Sequence, residues 1–172
     1  MEVLCYLKGS GGEGIFLPTK NDLKLYGYCD LDWGTCHLSL RSLTGYFVTL
    51  RSSPISQRPK KQAIVSRSSA EAKYHAIVVT TSELVWVYII LASLGVFQRQ
   101  PMKLFCGSQA ALHIARNPFF YERTKHIKTD YRFVQERLVS GMLTFMYIRS
   151  QHQPTDILMK ALRERQFDNF ST

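Results

Sequence analysis

Acidic residues occur at three distant points of the chain, each at the end of a predicted secondary-structure element. Asp30 ends a segment rich in strand formers, and Asp32 lies two residues further on, on the same face of an extended strand. Glu71 and Asp156 each fall in the first turn of a predicted helix. Taken singly, these acids have ordinary structural explanations: loop residues for Asp30 and Asp32, a capping box for Glu71, and a favourable helix dipole for Asp156.

Taken together, Asp30, Glu71 and Asp156 suggest a metal-dependent site. Carboxylates gathered from distant points of a chain are costly unless cations neutralise them. Paired divalent ions about 3.5–4 Å apart are the usual solution in nucleases, where one ion activates the attacking water and the other stabilises the departing oxygen. We therefore treat these three acids as candidate metal ligands.

A fourth position of interest follows the short apolar segment MKLFC, residues 102–106. Mixed α/β sheets gather ligands at strand ends and at the switch between neighbouring strands. The residue at this strand end is Gly107, which offers no carboxylate, and Ser108 after it is a possible helix cap.

Basic side chains form two clusters that could pair with phosphates and give salt-sensitive binding. The first cluster contains Arg58, Lys60, Lys61 and Arg67, with Arg51 nearby. The second contains Arg123, Lys125, His126 and Lys128. Either cluster could instead be an ordinary solvated face, and His126 and His152 are possible proton shuttles with no further support.

The hydrophobic periodicity predicts a mixed sheet with helices on both faces, in the order β-β-β-α-β-α-α-β-α. Strands are predicted at residues 23–33, 45–50, 54–56 continuing at 62–65, 102–106 and 143–149. Helices are predicted at residues 68–94, 108–116, 126–139 and 154–167. The basic residues between the two pieces of the third strand are expected to form a turn or bulge.

The composition narrows the class of protein. The chain has 172 residues, 45% of them hydrophobic, which suits one domain with a real core. Its formal net charge of +9 favours a polyanionic partner, either nucleic acid or an anionic membrane surface. The apolar stretch at residues 84–96 is shorter than the roughly 20 residues of a membrane span, so we expect a core helix and no membrane partner.

The four cysteines form no C-x-x-C pair and no zinc ligand set, so reduced thiols in an intracellular protein are expected. The first residues are too charged for a signal peptide.

Six segments, in order along the chain, carry a resemblance to a known family. They are YCDLDWGTC (28–36), RSLTGYFVTL (41–50), KKQAIVSRSSAEAKYHA (60–76), SELVW (82–86), NPFFYERTKHIKTDYRFVQE (117–136) and QPTDILMKAL (153–162). The chain resembles the ribonuclease H region of copia-type LTR retrotransposon polyproteins, most closely those of plants. The resemblance assigns residues 1–22 to the connection after reverse transcriptase and residues 23–172 to a ribonuclease H-like domain.

The resemblance implies a ribonuclease H-like fold, a five-stranded mixed sheet, and cutting of the RNA strand of RNA–DNA hybrids with Mg²⁺ or Mn²⁺. The family's catalytic and metal-binding acids map onto Asp30, Glu71 and Asp156. Where relatives carry a further aspartate, this chain has Gly107, so we expect very weak or undetectable hydrolysis. The implied partners are RNA–DNA hybrid or other nucleic acid and the reverse transcriptase portion of the polyprotein, in a cytoplasmic retroelement particle.

Four further departures from the family pattern accompany Gly107. They are Gln57 where Trp is common, Lys73 where Glu is usual, Thr155 where Ala is usual and Met159 where Thr is usual. Such a scatter is typical of a decaying genomic copy. A non-catalytic nucleic-acid binder of the same fold is therefore the main alternative. An integrase-type member is disfavoured, because its later glutamate and zinc module are not evident.

Overall fold

A five-stranded mixed sheet organises the protein. The computed structural model describes residues 23–34, 39–117 and 125–156, and for residues 125–128 it describes the backbone alone. The strands are β1 (Leu25–Asp32), β2 (Leu43–Leu50), β3 (Ser53–Lys61), β4 (Met102–Cys106) and β5 (Leu143–Tyr147). Their order across the sheet is β3-β2-β1-β4-β5. The first three strands pair antiparallel, whereas β4 pairs parallel with both β1 and β5. The predicted fold class is confirmed.

Three helices accompany the sheet and contact one another. They are α1 (Ser69–Ser93), α2 (Gln109–Arg116) and α3 (Lys125–Val139). Their bounds lie within one residue of the predicted ones, because each end carries a local signal. Gly95 (φ +79°) and Gly141 (φ +70°) adopt the left-handed conformation just beyond α1 and α3. The predicted last helix, 154–167, lies mostly outside the described residues.

Helix α1 packs across the centre of the sheet, against β1, β2 and β4. Its side chains Tyr74, Ile77 and Leu84 are completely buried. The helix approaches β1 so closely that a Cβ added to Gly27 would lie 2.8 Å from Leu84 Cδ1. By length and composition α1 is the one helix among the described residues that could cross a membrane. One face of the helix forms the core against the sheet, whereas Trp86 and Ile89 are exposed.

The third strand differs from its prediction. β3 runs without interruption through Arg58, Lys60 and Lys61, whereas residues 62–65 are not a strand. The predicted turn within the basic cluster was therefore wrong, and the irregularity lies instead at a bulge opposite Val48. β3 is one of the two edge strands of the described sheet, so it tolerates charged side chains and prolines that a central strand would exclude.

The residue after β3, Gln62, turns inward and ties the edge strand to helix α1. Its Nε2 donates hydrogen bonds to Thr44 Oγ1 and to the Ala72 carbonyl, each at 2.9 Å. Ser66 Oγ donates to Gln62 Oε1 at 3.3 Å. This buried amide fixes the chain between β3 and α1, and with it the position of the first turn of α1.

Candidate functional site

Asp30 and Gly107 lie side by side at the carboxyl ends of two parallel strands. Cys29 of β1 and Cys106 of β4 are direct partners in the parallel register. The next residues along these strands are Asp30 and Gly107, and neighbouring strands are about 4.8 Å apart. Asp30 is only 9% exposed. The predicted position of the missing ligand is thus next to the first predicted acid.

Nothing in the backbone requires a glycine at position 107. Gly107 does not adopt the left-handed conformation, unlike Gly34, Gly95 and Gly141. Among the described residues, a Cβ added there would meet one atom within 4 Å, the Ile148 carbonyl oxygen at 3.7 Å, which is ordinary van der Waals contact. The described part of the structure therefore leaves room for a Cβ at position 107.

The segment after β5 brings Asp156 to the same edge of the sheet. Gln153 Nε2 donates a 2.8 Å hydrogen bond to the Cys29 carbonyl, the residue before Asp30. The Asp156 amide in turn donates to the Gln153 carbonyl at 3.2 Å, and Ser150 Oγ donates to Asp156 Oδ2 at 3.4 Å. Asp156 is 6% exposed. A buried glutamine therefore links the segment that carries Asp156 to the strand residue before Asp30.

Lys73 places a positive charge at this edge. Its Nζ lies 3.8 Å from Asp30 Oδ1, and the two side chains are 27% and 11% exposed. Lys73 belongs to the start of α1, between the buried residues Ala72 and Tyr74. The helix packing therefore fixes the point from which the lysine side chain extends toward Asp30.

Glu71 has its carboxylate engaged at the N-terminus of α1. Glu71 Oε2 accepts a 2.8 Å hydrogen bond from the Arg67 amide, and the Glu71 amide donates to Ser68 Oγ at 3.1 Å. This is the capping arrangement expected from the Ser-x-x-Glu spacing, with the reciprocal bond made to the residue before the cap. The structural explanation of Glu71 accounts for both of these contacts.

The residues at the edge do not fit a pair of divalent ions as they stand. Across residues 23–34, 39–117 and 125–156, no three His, Cys, Asp or Glu side chains are placed to share an ion. Position 107 supplies no ligand, Glu71 caps its helix, and Lys73 brings a cation to Asp30. The convergence of Asp30, Glu71 and Asp156 on bound metal therefore stays a prediction.

Two free thiols lie directly beneath this edge. Cys29 and Cys106 are both buried, and Cys29 Sγ lies 3.5 Å from the Phe105 carbonyl oxygen. A hydrogen bond with Cys106, together with complete burial, holds the pKa of Cys29 well above its usual range. Cys29 is therefore a buried thiol of the core.

The first basic cluster lies on the exposed edge of the molecule. Arg58, Lys60 and Lys61 occupy the second half of β3, and Arg67 precedes α1; all four are exposed. They form a cationic strip beside the N-terminus of α1, as phosphate binding would require.

The second basic cluster is largely beyond what the structure describes. Arg123 lies outside the described residues, and of Lys125 and His126 only the helical backbone is described. His152 is exposed in a single 3-10 turn, Ser150–His152, where its Nε2 lies 3.0 Å from Gln151 Nε2.

Sequence reasoning missed a histidine beside the cationic strip. His75 Nδ1 lies 4.0 Å from Asp130 Oδ2, and both residues line a cavity of about 250 Å³ whose wall includes Lys60 and Lys61. The signal was weak in the sequence, because His75 and Asp130 come from different helices. The cavity extends the cationic strip inward toward the helix layer.

Comparison with known proteins identifies relatives of nearly the whole chain. No family model matches it. The chain is 40% identical over 169 residues to the retrovirus-related Pol polyprotein from transposon RE2 of Arabidopsis thaliana, covering 98% of the chain. It is 31% identical over 166 residues to that from transposon TNT 1-94 of Nicotiana tabacum, covering 96%. The chain spans about 12% of the length of these curated relatives.

Solved structures share the fold at low sequence identity. LC11-RNase H1, solved in complex with an RNA/DNA hybrid, superposes with a TM-score of 0.55 at 14% identity, covering 78% of this chain and 93% of that one. The prototype foamy virus protease-reverse transcriptase gives 0.53 at 12% identity, covering 88% of this chain and 20% of the viral one. The chain therefore has a ribonuclease H-like fold, and nearly all of it is similar to one part of the retrovirus-related Pol polyproteins from plant transposons.

Proposed function

We propose that this chain is the ribonuclease H-like domain of a copia-type retroelement, directed at RNA–DNA hybrid and impaired in hydrolysis. One observation carries the proposal: Gly107 lies beside Asp30 at the carboxyl edge of the sheet, where a ligand of a divalent ion would be needed. LC11-RNase H1, which shares the fold, was solved with an RNA/DNA hybrid. The Pol polyprotein relatives fit linkage to a reverse transcriptase and a place in a retroelement particle.

The impairment follows from the charge at the site. Family resemblance implies Mg²⁺ or Mn²⁺ held by Asp30, Glu71, Asp156 and a further carboxylate that Gly107 replaces. Loss of one group that stabilises developing charge commonly costs about 10²–10³ in rate. Because the fold around position 107 is intact, the loss is one of chemistry rather than of folding.

The decisive test restores the carboxylate. We expect Gly107→Asp to raise cleavage of a labelled RNA–DNA hybrid in Mg²⁺ or Mn²⁺ well above that of the unmodified chain. Gly107→Asn is the matched control, since it adds a side chain of the same shape without the charge. Robust cutting by the chain as it stands would contradict the proposed impairment, and a folded Gly107→Asp protein equal to Gly107→Asn would contradict the site.

A second candidate function is nucleic-acid binding without catalysis, favoured by the exposed cationic strip of Arg58, Lys60, Lys61 and Arg67. Such a domain would bind the phosphate backbone of the hybrid and recognise the shape of the duplex, and its affinity would fall steeply as the salt concentration rises. Lys60→Gln with Lys61→Gln should weaken hybrid binding and flatten the salt dependence. Arg99→Gln with Arg132→Gln is the matched control, because it also removes two positive charges, from exposed positions outside the strip. Binding indifferent to salt would exclude this candidate.

A further inference from the structure

We infer that the ammonium group of Lys73 neutralises the carboxylate of Asp30 and so takes the place of a divalent ion at the carboxyl end of β1. The inference deepens the proposed function and rests on it. Its basis is the approach of Lys73 Nζ to 3.8 Å from Asp30 Oδ1, with both side chains largely shielded from solvent. A partly buried pair of opposite charges attracts more strongly than an exposed pair, because solvent screens it less.

The lysine is held at this position by the packing of α1. Ala72 before it and Tyr74 after it are both completely buried, so the start of the helix cannot rotate without opening the core. The Ser68 cap and the contact of Gln62 Nε2 with the Ala72 carbonyl fix the same turn from its other side. The backbone of Lys73 is therefore held at a point from which its side chain reaches Asp30.

A divalent ion would meet this ammonium group at close range. An ion bound to Asp30 would lie within a few ångströms of Lys73 Nζ, so it would either displace the lysine or bear like-charge repulsion. The chain therefore carries two separate obstacles to metal binding. Gly107 removes a negative ligand beside Asp30, and Lys73 adds a positive charge to it.

The two obstacles differ in what removes them. In Gly107→Asp, the ammonium group of Lys73 would partly neutralise the new carboxylate. That carboxylate would therefore attract a divalent ion less strongly. Lys73→Gln would remove the positive charge beside Asp30 without adding a metal ligand. Metal binding should therefore recover only partly in either single variant, and more than additively in the double variant.

The test measures Mn²⁺ binding to the full chain by isothermal titration calorimetry, with no nucleic acid present. We expect Lys73→Gln to bind Mn²⁺ about tenfold more tightly than Lys60→Gln, because an ammonium group a few ångströms from a bound divalent ion repels it. Lys60→Gln is the matched control, because it lowers the net charge equally from the exposed edge strand. Equal Mn²⁺ affinity in these two variants would overturn the inference.

A charge-conserving variant and a stability readout complete the experiment. Lys73→Arg should bind Mn²⁺ as weakly as the unmodified chain, and a gain in affinity there would also overturn the inference. Mn²⁺ should raise the melting temperature of the Lys73→Gln, Gly107→Asp double variant and leave that of the unmodified chain unchanged, because a ligand stabilises only the folded state that binds it.

The two proposals fail differently. Tight Mn²⁺ binding by the double variant without cleavage of the hybrid would contradict the proposed hydrolytic site and leave the role of Lys73 intact. Full cleavage by Gly107→Asp with Lys73 in place, at the Mn²⁺ affinity of the double variant, would remove the role of Lys73 and leave the proposed function intact.

Discussion

Two glycines near the centre of the sheet have opposite relations to their surroundings. Gly27 lies in the middle of β1 under helix α1, where an added Cβ would come within 2.8 Å of Leu84 Cδ1 and 3.1 Å of Thr80 Cγ2. Gly107 follows β4, where the only described atom within 4 Å of an added Cβ is the Ile148 carbonyl oxygen, at 3.7 Å. Packing against α1 requires the first glycine, whereas no contact with the described residues and no left-handed backbone angle requires the second.

The two glycines differ in what constrains them: packing at position 27 and ligand charge at position 107. A glycine inside a strand weakens it by about 0.5–1 kcal/mol relative to alanine, so Gly27 persists because helix α1 needs the space. No such need applies at position 107, where the residue type bears on ligand charge alone. The helix–sheet core and the carboxyl edge therefore respond to different constraints, although they are built from the same two strands.

The largest effect is expected from removing the partner of Gly27. Leu84→Ala should lower the free energy of unfolding by about 2–5 kcal/mol, because the buried side chain leaves a cavity between α1 and β1. Urea denaturation followed by circular dichroism measures this change. Leu94→Ala is a suitable control, since Leu94 is 72% exposed. A loss below about 1 kcal/mol at Leu84 would show that the helix does not rest on this contact.

Overfilling the same contact should have the next largest effect. Gly27→Val is expected to destabilise the protein by about 1–3 kcal/mol, because the new side chain must displace Leu84 and Thr80. Combined with Leu84→Ala, it should cost less than the sum of the two single changes, since the valine fills part of the cavity. Equilibrium unfolding of the three variants measures the coupling. Simple additivity would mean that Gly27 and Leu84 do not share the space.

The cap that orients the start of α1 should contribute less. Ser68→Ala removes the acceptor for the Glu71 amide and should cost about 1 kcal/mol of stability. Ser68→Asn, which can accept the same hydrogen bond, should restore most of the loss. The comparison of the two unfolding curves tests whether the first turn, and Lys73 with it, depends on this cap.

The smallest effect is expected at Gly107. Gly107→Ala should raise the free energy of unfolding by about 0.4–1 kcal/mol, because alanine restricts the unfolded chain and meets no obstacle in the folded one. Gly27→Ala at the other glycine should be neutral or destabilising. Equal losses from the two alanine variants would remove the distinction between a glycine fixed by packing and one that is free to change.

Local signals made much of the fold predictable from the sequence. The serine caps at Ser68 and Ser108 and the glycines after α1 and α3 define helix ends within a few residues, so these were predicted correctly. The course of β3 was predicted wrongly. Its prolines and lysines resemble turn residues, and only the position of the strand at the sheet edge explains why they are tolerated.

The sequence predicts candidate residues for the site but not their contacts. The placement of position 107 next to Asp30 follows from the register of β1 and β4, which the apolar pattern of the strands alone does not specify. Lys73 is visible in the sequence as a departure from the family pattern. Its ion pair with Asp30 is not visible there, because the two residues are distant along the chain. The Gln153 bond that anchors Asp156 is likewise a tertiary contact without a local signal.

The residues of edge strand β3 disfavour pairing with a strand of a second molecule. Prolines at positions 54 and 59 lack an amide hydrogen, and Lys60 and Lys61 carry like charges along the outer half of β3. A strand of a second molecule paired with β3 would lack hydrogen bonds at the two prolines, and the lysines of the two copies would repel each other. We expect this side of the domain to resist self-association into intermolecular sheets, which would let it remain dispersed when detached from a larger polypeptide.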